Sequence, residues 1–203
     1  MSKVKVIIAG PRGKMGSEAL RMIEKNDDLE LVACLDHKFD GMSIKEFENL
    51  PNLDAKIYTD IESCFQSVEA DVLVDLTTPE FGYLHTKTAI NYGIRPVVGT
   101  TGFTEEQLQE VTDLAEEKGI GVIIAPNFAL GAVLMMQFAK WAAKYFPDVE
   151  IIEKHHDNKL DAPSGTALKT AALIKEVRQS KLQGHPDEKE TIPCARGGQI
   201  LME

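Results

Sequence analysis

The sequence has few cysteines, and their spacing limits what they can do. Three occur among 203 residues, Cys34, Cys64 and Cys194, and no two of them form a C-x-x-C pair. This pattern predicts reduced thiols in a cytoplasmic protein, because disulfide scaffolds and zinc ribbons use denser and more regular cysteines. Long apolar runs are also lacking. The run over residues 3–9 leads directly into a glycine-rich turn, so it is too short for a membrane span and unlike a signal peptide.

Positive charge is in the minority. Lysine and arginine number 22 against 32 aspartate and glutamate residues, which leaves a formal net charge of −10. This balance argues against nucleic acid or an anionic membrane as a partner, although a small cationic pocket can still hold an anionic cofactor. Low-complexity segments, Gly/Ser linkers and solenoid repeats are lacking too. With 43% apolar residues, the chain is predicted to be a soluble metabolic protein of one domain or two modest ones.

Short apolar runs alternate with helical periods from residue 3 to residue 124. Strands are predicted over 3–9, 29–35, 56–58, 71–76, 95–98 and 121–124, and helices over 17–23, 61–67, 81–92 and 105–118. This alternation is typical of βαβ units and of a parallel sheet that is buried on both faces. The predicted fold class is α/β, a Rossmann-like doubly wound parallel sheet followed by a smaller α+β domain. We place the first domain over 1–127 and the second over 128–203.

A glycine-rich turn, GPRGKMG, follows the first predicted strand. Glycines let the backbone turn tightly and approach a pyrophosphate, which then rests on the N-terminus of the next helix. The G-x-x-G-x-x-G spacing is one residue longer than the common dinucleotide fingerprint, so by itself it is weak evidence. The candidate cofactor-binding residues in this turn are Gly10, Arg12, Gly13, Lys14, Met15 and Gly16.

The second predicted strand ends in an acidic residue that strengthens the dinucleotide interpretation. Asp36 lies twenty positions after Gly16, where an acid holds the adenosine ribose hydroxyls. His37 and Lys38 follow at once and offer positive charge to the 2′-phosphate of NADP, which predicts tolerance of both NADH and NADPH. Acids at strand ends are also common caps and solvated loop residues, and this alternative stays open.

Three loops that follow later strands are predicted to face a nicotinamide ring, because ligands bind outside the carboxyl ends of strands in such sheets. Each could instead be ordinary turn chemistry, since Gly, Pro, Asn and Thr are common in loops. The candidate cofactor-binding residues in these loops are Leu76, Thr77, Gly99, Thr100, Thr101, Ala125, Pro126, Asn127 and Phe128.

The second domain is predicted to begin with a long amphipathic helix over 129–145 and a strand over 149–153. Two histidines, His155 and His156, then precede Lys159 and a helix start at Ser164, which is a favoured N-cap. Imidazoles, an ammonium group and free helix amides together predict a site for an anionic substrate. The alternative is surface histidines beside an ordinary capped helix. A metal site is not predicted, because neighbouring histidines on an extended chain point in opposite directions.

These motifs carry a resemblance to a known family. The turn at 10–16, the GTTGF segment at 99–103, the APNF segment at 125–128 and above all EKHHDNKLDAPSGTA at 153–167 resemble the 4-hydroxy-tetrahydrodipicolinate reductases, the dihydrodipicolinate reductases of bacterial lysine and diaminopimelate synthesis. The resemblance extends to about residue 198.

The resemblance implies the reduction of a cyclic imine dicarboxylate to tetrahydrodipicolinate with NADH or NADPH, in a homotetramer. It makes 1–127 the dinucleotide-binding domain and 128–203 the substrate-binding and oligomerisation domain. His155 would be the acid/base group and Lys159 its partner, while Thr101 would lie near the substrate and the nicotinamide. The residues implied to hold the carboxylates are His156, Lys159, Ser164, Gly165 and Thr166.

Family members usually continue for several tens of residues beyond residue 198. If the chain ends at Glu203, we expect exposed sheet edges and apolar surface in the second domain, with weaker stability, tetramer assembly and activity. One alternative is therefore a shortened, catalytically impaired homologue that binds a dinucleotide. A semialdehyde dehydrogenase is the other, but it needs a thiolate at the site, and none of the three cysteines is predicted there.

Overall fold

A computed structural model provides the fold of the chain. It describes residues 2–100, 102–125, 127–146, 148–157, 159, 162–179, 185, 187, 189 and 191–192. The chain divides into two compact units, Met1–Pro126 and Asn127–Glu203. None of the described helices combines the length and apolar character needed to cross a bilayer.

The first unit is built on a six-stranded parallel sheet. Its strands are β1 (Val4–Ala9), β2 (Leu29–Leu35), β3 (Lys56–Tyr58), β4 (Val72–Asp75), β5 (Arg95–Val98) and β6 (Ile123–Ile124). They lie in the order β3-β2-β1-β4-β5-β6, and every neighbouring pair is parallel. The order reverses between β1 and β4, which is the topological switch point of such a sheet. The predicted Rossmann-like sheet is therefore confirmed.

Four helices connect the strands: α1 (Lys14–Glu24), α2 (Ile61–Ser67), α3 (Pro79–Asn91) and α4 (Glu105–Lys118). Local chemistry sets their ends. Asp60 caps α2 by accepting from the Ser63 amide at 2.7 Å, and Gly119 ends α4 in the left-handed conformation with φ +64°. A short 3-10 helix over Ile44–Glu46, which the sequence pattern did not predict, lies between β2 and β3.

The sheet is buried on both faces because consecutive side chains of β1 enter different cores. Ile7 and Ala9 pack with residues of α2 and α3, whereas Val6 and Ile8 pack with Leu20 of α1 and with the 3-10 helix. Burying an isoleucine side chain contributes roughly 1.5–3 kcal/mol. This two-sided burial explains why β1 is continuously apolar rather than alternating.

The second unit contains α5 (Leu130–Ala142) and α6 (Gly165–Lys175), which pack against each other. The structure has no strand at 149–153, so that prediction was wrong. A strand requires a neighbour in a ladder, and every strand of the described residues belongs to the first unit. The buried residue of α5 is Met136, whereas the large apolar side chains of Phe138 and Trp141 on the same helix are exposed. Because α5 is apolar on several faces, its period could not select the buried one.

Candidate functional site

The turn after β1 is tight in a way that requires glycine at two positions. Gly10 has φ +80°, and a Cβ atom there would lie 2.9 Å from the carbonyl oxygen of Leu76. A Cβ atom on Gly16 would lie 1.9 Å from the Gly10 carbonyl oxygen, far inside van der Waals contact. The Gly13 amide donates to that same oxygen at 3.1 Å and closes the turn. The backbone therefore forms the compact bend that the sequence predicted.

Helix α1 begins directly after this bend without a side-chain cap, because its N-cap residue is Gly13. The amides of the first turn of a helix have no intrahelical acceptors, and the helix dipole is positive there. Arg12, Lys14 and Met15 are exposed around this helix start. The local charge and hydrogen-bonding groups suit a pyrophosphate.

Asp36, directly after β2, is held by several donors, and its side chain is 5% exposed. Arg12 donates to both carboxylate oxygens, from Nε at 2.9 Å and from Nη2 at 2.7 Å. The Lys38 amide donates at 3.1 Å, and His37 Nδ1 lies 3.2 Å away. The hydrogen bond to Asp36 raises the pKa of Arg12, whose guanidinium also lies 4.7 Å from the ring centre of Phe39. The structure thus brings together four of the predicted cofactor-binding residues, Arg12, Asp36, His37 and Lys38.

The loops after β4 and β5 meet beside the glycine bend. The carbonyl of Leu76 and the methyl group of Thr77 are the atoms that a Cβ on Gly10 would meet. The Thr100 hydroxyl donates to the Thr77 carbonyl at 3.2 Å, so the two loops are joined. Gly99 is half-buried, and its amide donates to the Asp75 carbonyl at 2.8 Å, which joins the end of β5 to the end of β4.

The loop after β6 is only partly described. Ala125 donates its amide to the Val98 carbonyl at 2.9 Å, which places it at the carboxyl edge of the sheet. Asn127 and exposed Phe128 belong to the second unit. Thr101 and Pro126 lie outside the described residues, as do residues 193–203, on which the expectation about the chain end depends.

Two residues for which the sequence reasoning predicted no role lie beneath these loops. Asp75 is fully buried at the end of β4 and accepts hydrogen bonds from Thr77 and Thr100, and His85 Nδ1 lies 2.6 Å from its Oδ2 atom. A sequence feature could have revealed Asp75. A carboxylate inside an apolar run that is buried on both faces needs a hydrogen-bond partner, and Asp75 lies inside the run at 71–76 whereas Asp71 only begins it.

In the second unit, Ser164 caps α6 as predicted, because its hydroxyl accepts from the Ala167 amide at 3.1 Å. The Ser164 amide itself donates to Glu153 Oε1 at 2.9 Å. Hydrogen bonds from Ser164, with smaller effects from His155 and Lys159, lower the pKa of Glu153. Glu153, for which the motif spacing predicted no role, thus already occupies part of the anion-binding region.

Unlike the Ser164 amide, the amides of Gly165 and Thr166 have no carboxylate acceptor within the part of the chain that the structure describes. Among the described residues, neither donates to a protein acceptor. The Thr166 hydroxyl receives a hydrogen bond from the Asn127 side chain at 3.3 Å. As far as the described residues show, the first turn of α6 therefore offers two amides to a ligand anion, next to a hydroxyl that Asn127 orients.

A cavity of about 440 Å³ opens beside this helix start. Its polar lining includes Asn127, Glu153, His155, Ser164 and Thr166, and the remainder is mostly apolar. His155 Nδ1 lies 3.7 Å from Glu153 Oε2. The structure therefore gathers three predicted substrate-site residues with Asn127, which was predicted as a cofactor residue.

Two other predicted site residues, His156 and Lys159, follow His155 closely in the sequence but do not line this cavity. His156 is exposed, and its carbonyl accepts from the amide of half-buried Lys159 at 3.1 Å. A second hollow of about 520 Å³ lies beside α4 and β6 and contains none of the predicted site residues. Within the described ranges, no group of three or more His, Cys, Asp or Glu side chains is placed to hold a metal ion.

A doubly wound parallel sheet with a glycine bend, an uncapped helix start and an acid after β2 defines a Rossmann-like dinucleotide-binding protein. Comparison with known families narrows this class. The model described as dihydrodipicolinate reductase, N-terminus, matches residues 4–128, and the corresponding C-terminus model matches residues 131–203. The chain belongs to the dihydrodipicolinate reductase family, whose members are NADH- or NADPH-dependent oxidoreductases, and the resemblance seen in the motifs is confirmed.

Individual relatives agree with this assignment. The chain is 64% identical over 198 residues to the 4-hydroxy-tetrahydrodipicolinate reductase of Oceanobacillus iheyensis. The matched region covers 97% of this chain and 75% of that protein. It is 61% identical over 196 residues to the enzyme of that name from Bacillus subtilis, covering 97% and 73%. Among solved structures, dipicolinate-bound dihydrodipicolinate reductase from Paenisporosarcina sp. TG-14 is 55% identical with a TM-score of 0.77, covering 97% and 74%.

Proposed function

We propose that the chain reduces the cyclic imine dicarboxylate formed from 4-hydroxy-tetrahydrodipicolinate to tetrahydrodipicolinate, in lysine and diaminopimelate biosynthesis. The observation that carries the proposal is the start of α6. Two amides of this first turn have no protein acceptor among the described residues, and His155, Ser164 and Thr166 line the adjacent cavity, in a chain closely similar to enzymes of that name. A ring that carries two carboxylates matches these groups in charge and chemistry.

The first unit fits the dinucleotide that this reaction needs. The glycine bend leaves no room for a side chain at Gly10 or Gly16, so a pyrophosphate can approach its backbone. The uncapped start of α1 offers amides to that pyrophosphate. When bound, the reduced nicotinamide supplies the hydride. Asp36 would accept from the ribose hydroxyls in exchange for Arg12, and Arg12 and Lys38 would face a 2′-phosphate when one is present.

His155 and Lys159 carry the proton chemistry in this proposal. Hydride addition to the unsaturated ring pushes electron density onto the ring, and a nearby acid must quench that charge by supplying a proton. His155 is the acid/base group at the cavity and Lys159 its partner, whereas Ser164, Gly165 and Thr166 hold carboxylate oxygens. Glu153 keeps the helix start neutralised until a substrate carboxylate arrives, because it accepts from the Ser164 amide.

The test is NADPH oxidation with freshly generated substrate. We expect His155→Ala and Lys159→Ala each to reduce turnover by a factor of roughly 10² or more while cofactor binding persists. The matched control is His185→Ala, an exposed histidine outside the cavity, which should leave turnover unchanged. Unaltered kinetics in both site variants would contradict the assignment. A wild-type chain that binds NADPH but never oxidises it would instead favour the shortened, catalytically impaired homologue.

Arg12 and its neighbours provide a separate test of cofactor use. We expect the chain to accept NADH and NADPH, because Asp36 suits ribose hydroxyls and the adjacent cations suit a phosphate. Arg12→Ala should raise KM for NADPH more than KM for NADH, since only NADPH carries the extra anion. An equal effect on both Michaelis constants would show that Arg12 does not contact the 2′-phosphate.

We also infer that residues 1–127 form the dinucleotide-binding domain and residues 128–203 a domain for substrate binding and assembly, in a cytoplasmic homotetramer. The matched N- and C-terminal family models support two functional parts. The exposed aromatic side chains Phe138 and Trp141 support an assembly surface. The native mass in solution tests this point, and a monomer at micromolar concentration would contradict it.

A further inference from the structure

We propose that Asp75 and His85 are positioning residues, which hold the nicotinamide-side loops in the geometry that productive cofactor binding requires. These loops are residues 76–78 after β4 and residues 99–100 after β5. The inference rests on the proposed use of NADH or NADPH, and it extends that function to two residues that do not belong to the glycine bend or to the substrate cavity.

The Asp75 carboxylate joins the two loops. Its Oδ1 atom accepts from the Thr77 amide at 3.0 Å, from the Thr77 hydroxyl at 2.6 Å and from the Thr100 hydroxyl at 3.3 Å. Every one of these donors belongs to a nicotinamide-side loop rather than to the core of the sheet. The carboxylate therefore organises the edge of the sheet where a dinucleotide binds, not the interior packing.

His85 supplies the hydrogen-bond partner for the second oxygen of the buried Asp75 carboxylate. It lies on α3, its side chain is 12% exposed, and its Nδ1 atom is 2.6 Å from Asp75 Oδ2. An ionised carboxylate only accepts hydrogen bonds, so Nδ1 carries the proton in this contact. Without that donor, half of a fully buried carboxylate would lose its partner, which is costly in a low-dielectric interior. His85 thus gives the second carboxylate oxygen of Asp75 a partner and fixes the orientation of the carboxylate.

The two nicotinamide-side loops pack closely against the glycine bend and against α3. A Cβ atom on Gly10 would lie 3.3 Å from the Thr77 methyl group, and one on Gly82 would lie 3.3 Å from Thr100 Cβ and 3.4 Å from Asp75 Oδ1. The loops have little room to shift without contacting the bend or α3. A rotation of the Asp75 side chain would therefore displace Thr77 and Thr100 together.

The experiment compares two ligands in the full chain. NADH contains the nicotinamide, whereas ADP-ribose contains only the part that the bend and Asp36 would hold. We expect His85→Ala and Asp75→Asn to weaken NADH binding by about tenfold or more, with ADP-ribose binding changed by less than about twofold. His85→Asn keeps an N–H donor near the Nδ1 position and should restore most of the NADH affinity.

Two further variants keep the test decisive if those substitutions unfold the chain. Thr77→Val removes one hydroxyl donor while the Asp75–His85 contact remains, and it should also weaken NADH selectively. Thr88→Val removes a hydroxyl that donates to the Leu84 carbonyl within α3, and it should change neither ligand. Thermal unfolding of each variant verifies folding.

Parallel loss of both ligands in every folded variant, or no selective loss in Thr77→Val, would overturn the positioning role and indicate a structural one. An unchanged NADH affinity in His85→Ala would overturn it as well. A wild-type chain that binds neither NADH nor ADP-ribose would refute the proposed function itself, and with it this inference.

Discussion

Replacing Gly16 by alanine tests whether the glycine bend is as tight as the structure describes. The added Cβ would lie 1.9 Å from the Gly10 carbonyl oxygen, 2.8 Å from the Gly10 carbonyl carbon and 2.9 Å from Pro11 Cα. All three atoms are backbone, so no side-chain rotation can relieve the contact. The bend would have to open by about 1 Å or more to reach van der Waals separation.

The magnitude follows from three contributions. Overpacking of this kind costs about 1–3 kcal/mol. Opening the bend also weakens the hydrogen bond from the Gly13 amide to the Gly10 carbonyl, worth about 0.5–1.5 kcal/mol. Alanine is favoured over glycine within a helix by about 1 kcal/mol, which offsets part of the cost. We therefore expect a net destabilisation of about 1–3 kcal/mol, or a fall in Tm of roughly 3–10 °C.

The assay is thermal and urea unfolding monitored by circular dichroism, with NADH affinity measured on the same samples. NADH affinity should fall as well, because the opened bend displaces the amides that would hold the pyrophosphate. The control is Gly131→Ala in α5, where an added Cβ meets nothing within 4 Å. It should be neutral or stabilising by up to about 1 kcal/mol. A Gly16→Ala chain with wild-type Tm and NADH affinity would refute the steric reasoning.

Three other predictions concern thiols, a helix cap and a helix end. Burial raises the pKa of Cys64 to about 12 and also raises the pKa of Cys34. In a Cys194→Ser chain, which retains only these two thiols, we therefore expect no rapid reaction with a thiol reagent at pH 8 until the chain is denatured. Rapid reaction of the native chain would contradict this. Hydrogen bonds from the Ser63 side chain and amide lower the pKa of Asp60. Its stabilising effect is therefore present above its ordinary pKa and is lost as the pH falls through the lowered value. Asp60→Ala should thus reduce Tm at pH 7, and this loss should shrink progressively as the pH falls below the ordinary pKa of an aspartate; a loss that does not change with pH would count against the cap. Gly119→Ala should cost about 1–2 kcal/mol in urea unfolding because of the left-handed conformation at this residue, and an unchanged midpoint would exclude strain there.

Most strands and helices of the first unit could be predicted because their positions depend on residues that are close together in the sequence. Strand β2 and helix α4 have the predicted bounds, 29–35 and 105–118. Helix α3 begins at Pro79 rather than at residue 81, because proline is well suited to the first helical position. Helix α6 likewise begins directly after its Ser164 cap. Such differences concern one to three residues at element ends, as at α1, which begins at Lys14 rather than at residue 17, because side-chain periodicity is weakest there.

The second unit was predicted less completely. The apolar run at 149–153 has the composition of a strand, yet pairing depends on a partner that sequence pattern cannot supply. The contact of Glu153 with the Ser164 amide joins residues eleven positions apart in the sequence. No helical or strand period relates such positions, so the motif could indicate an anion site but not the carboxylate already placed in it.

By itself the sequence determined the parallel α/β architecture, the glycine bend, the acid after β2 and the capped start of α6, because backbone conformation, capping and periodic burial act over a few neighbouring residues. Only the tertiary structure decided that Asp75 contacts His85 ten residues later and Thr100 twenty-five residues later. Those contacts arise because parallel strands and their crossover helix bring distant residues to the same edge of the sheet, where a buried carboxylate requires donors from more than one segment.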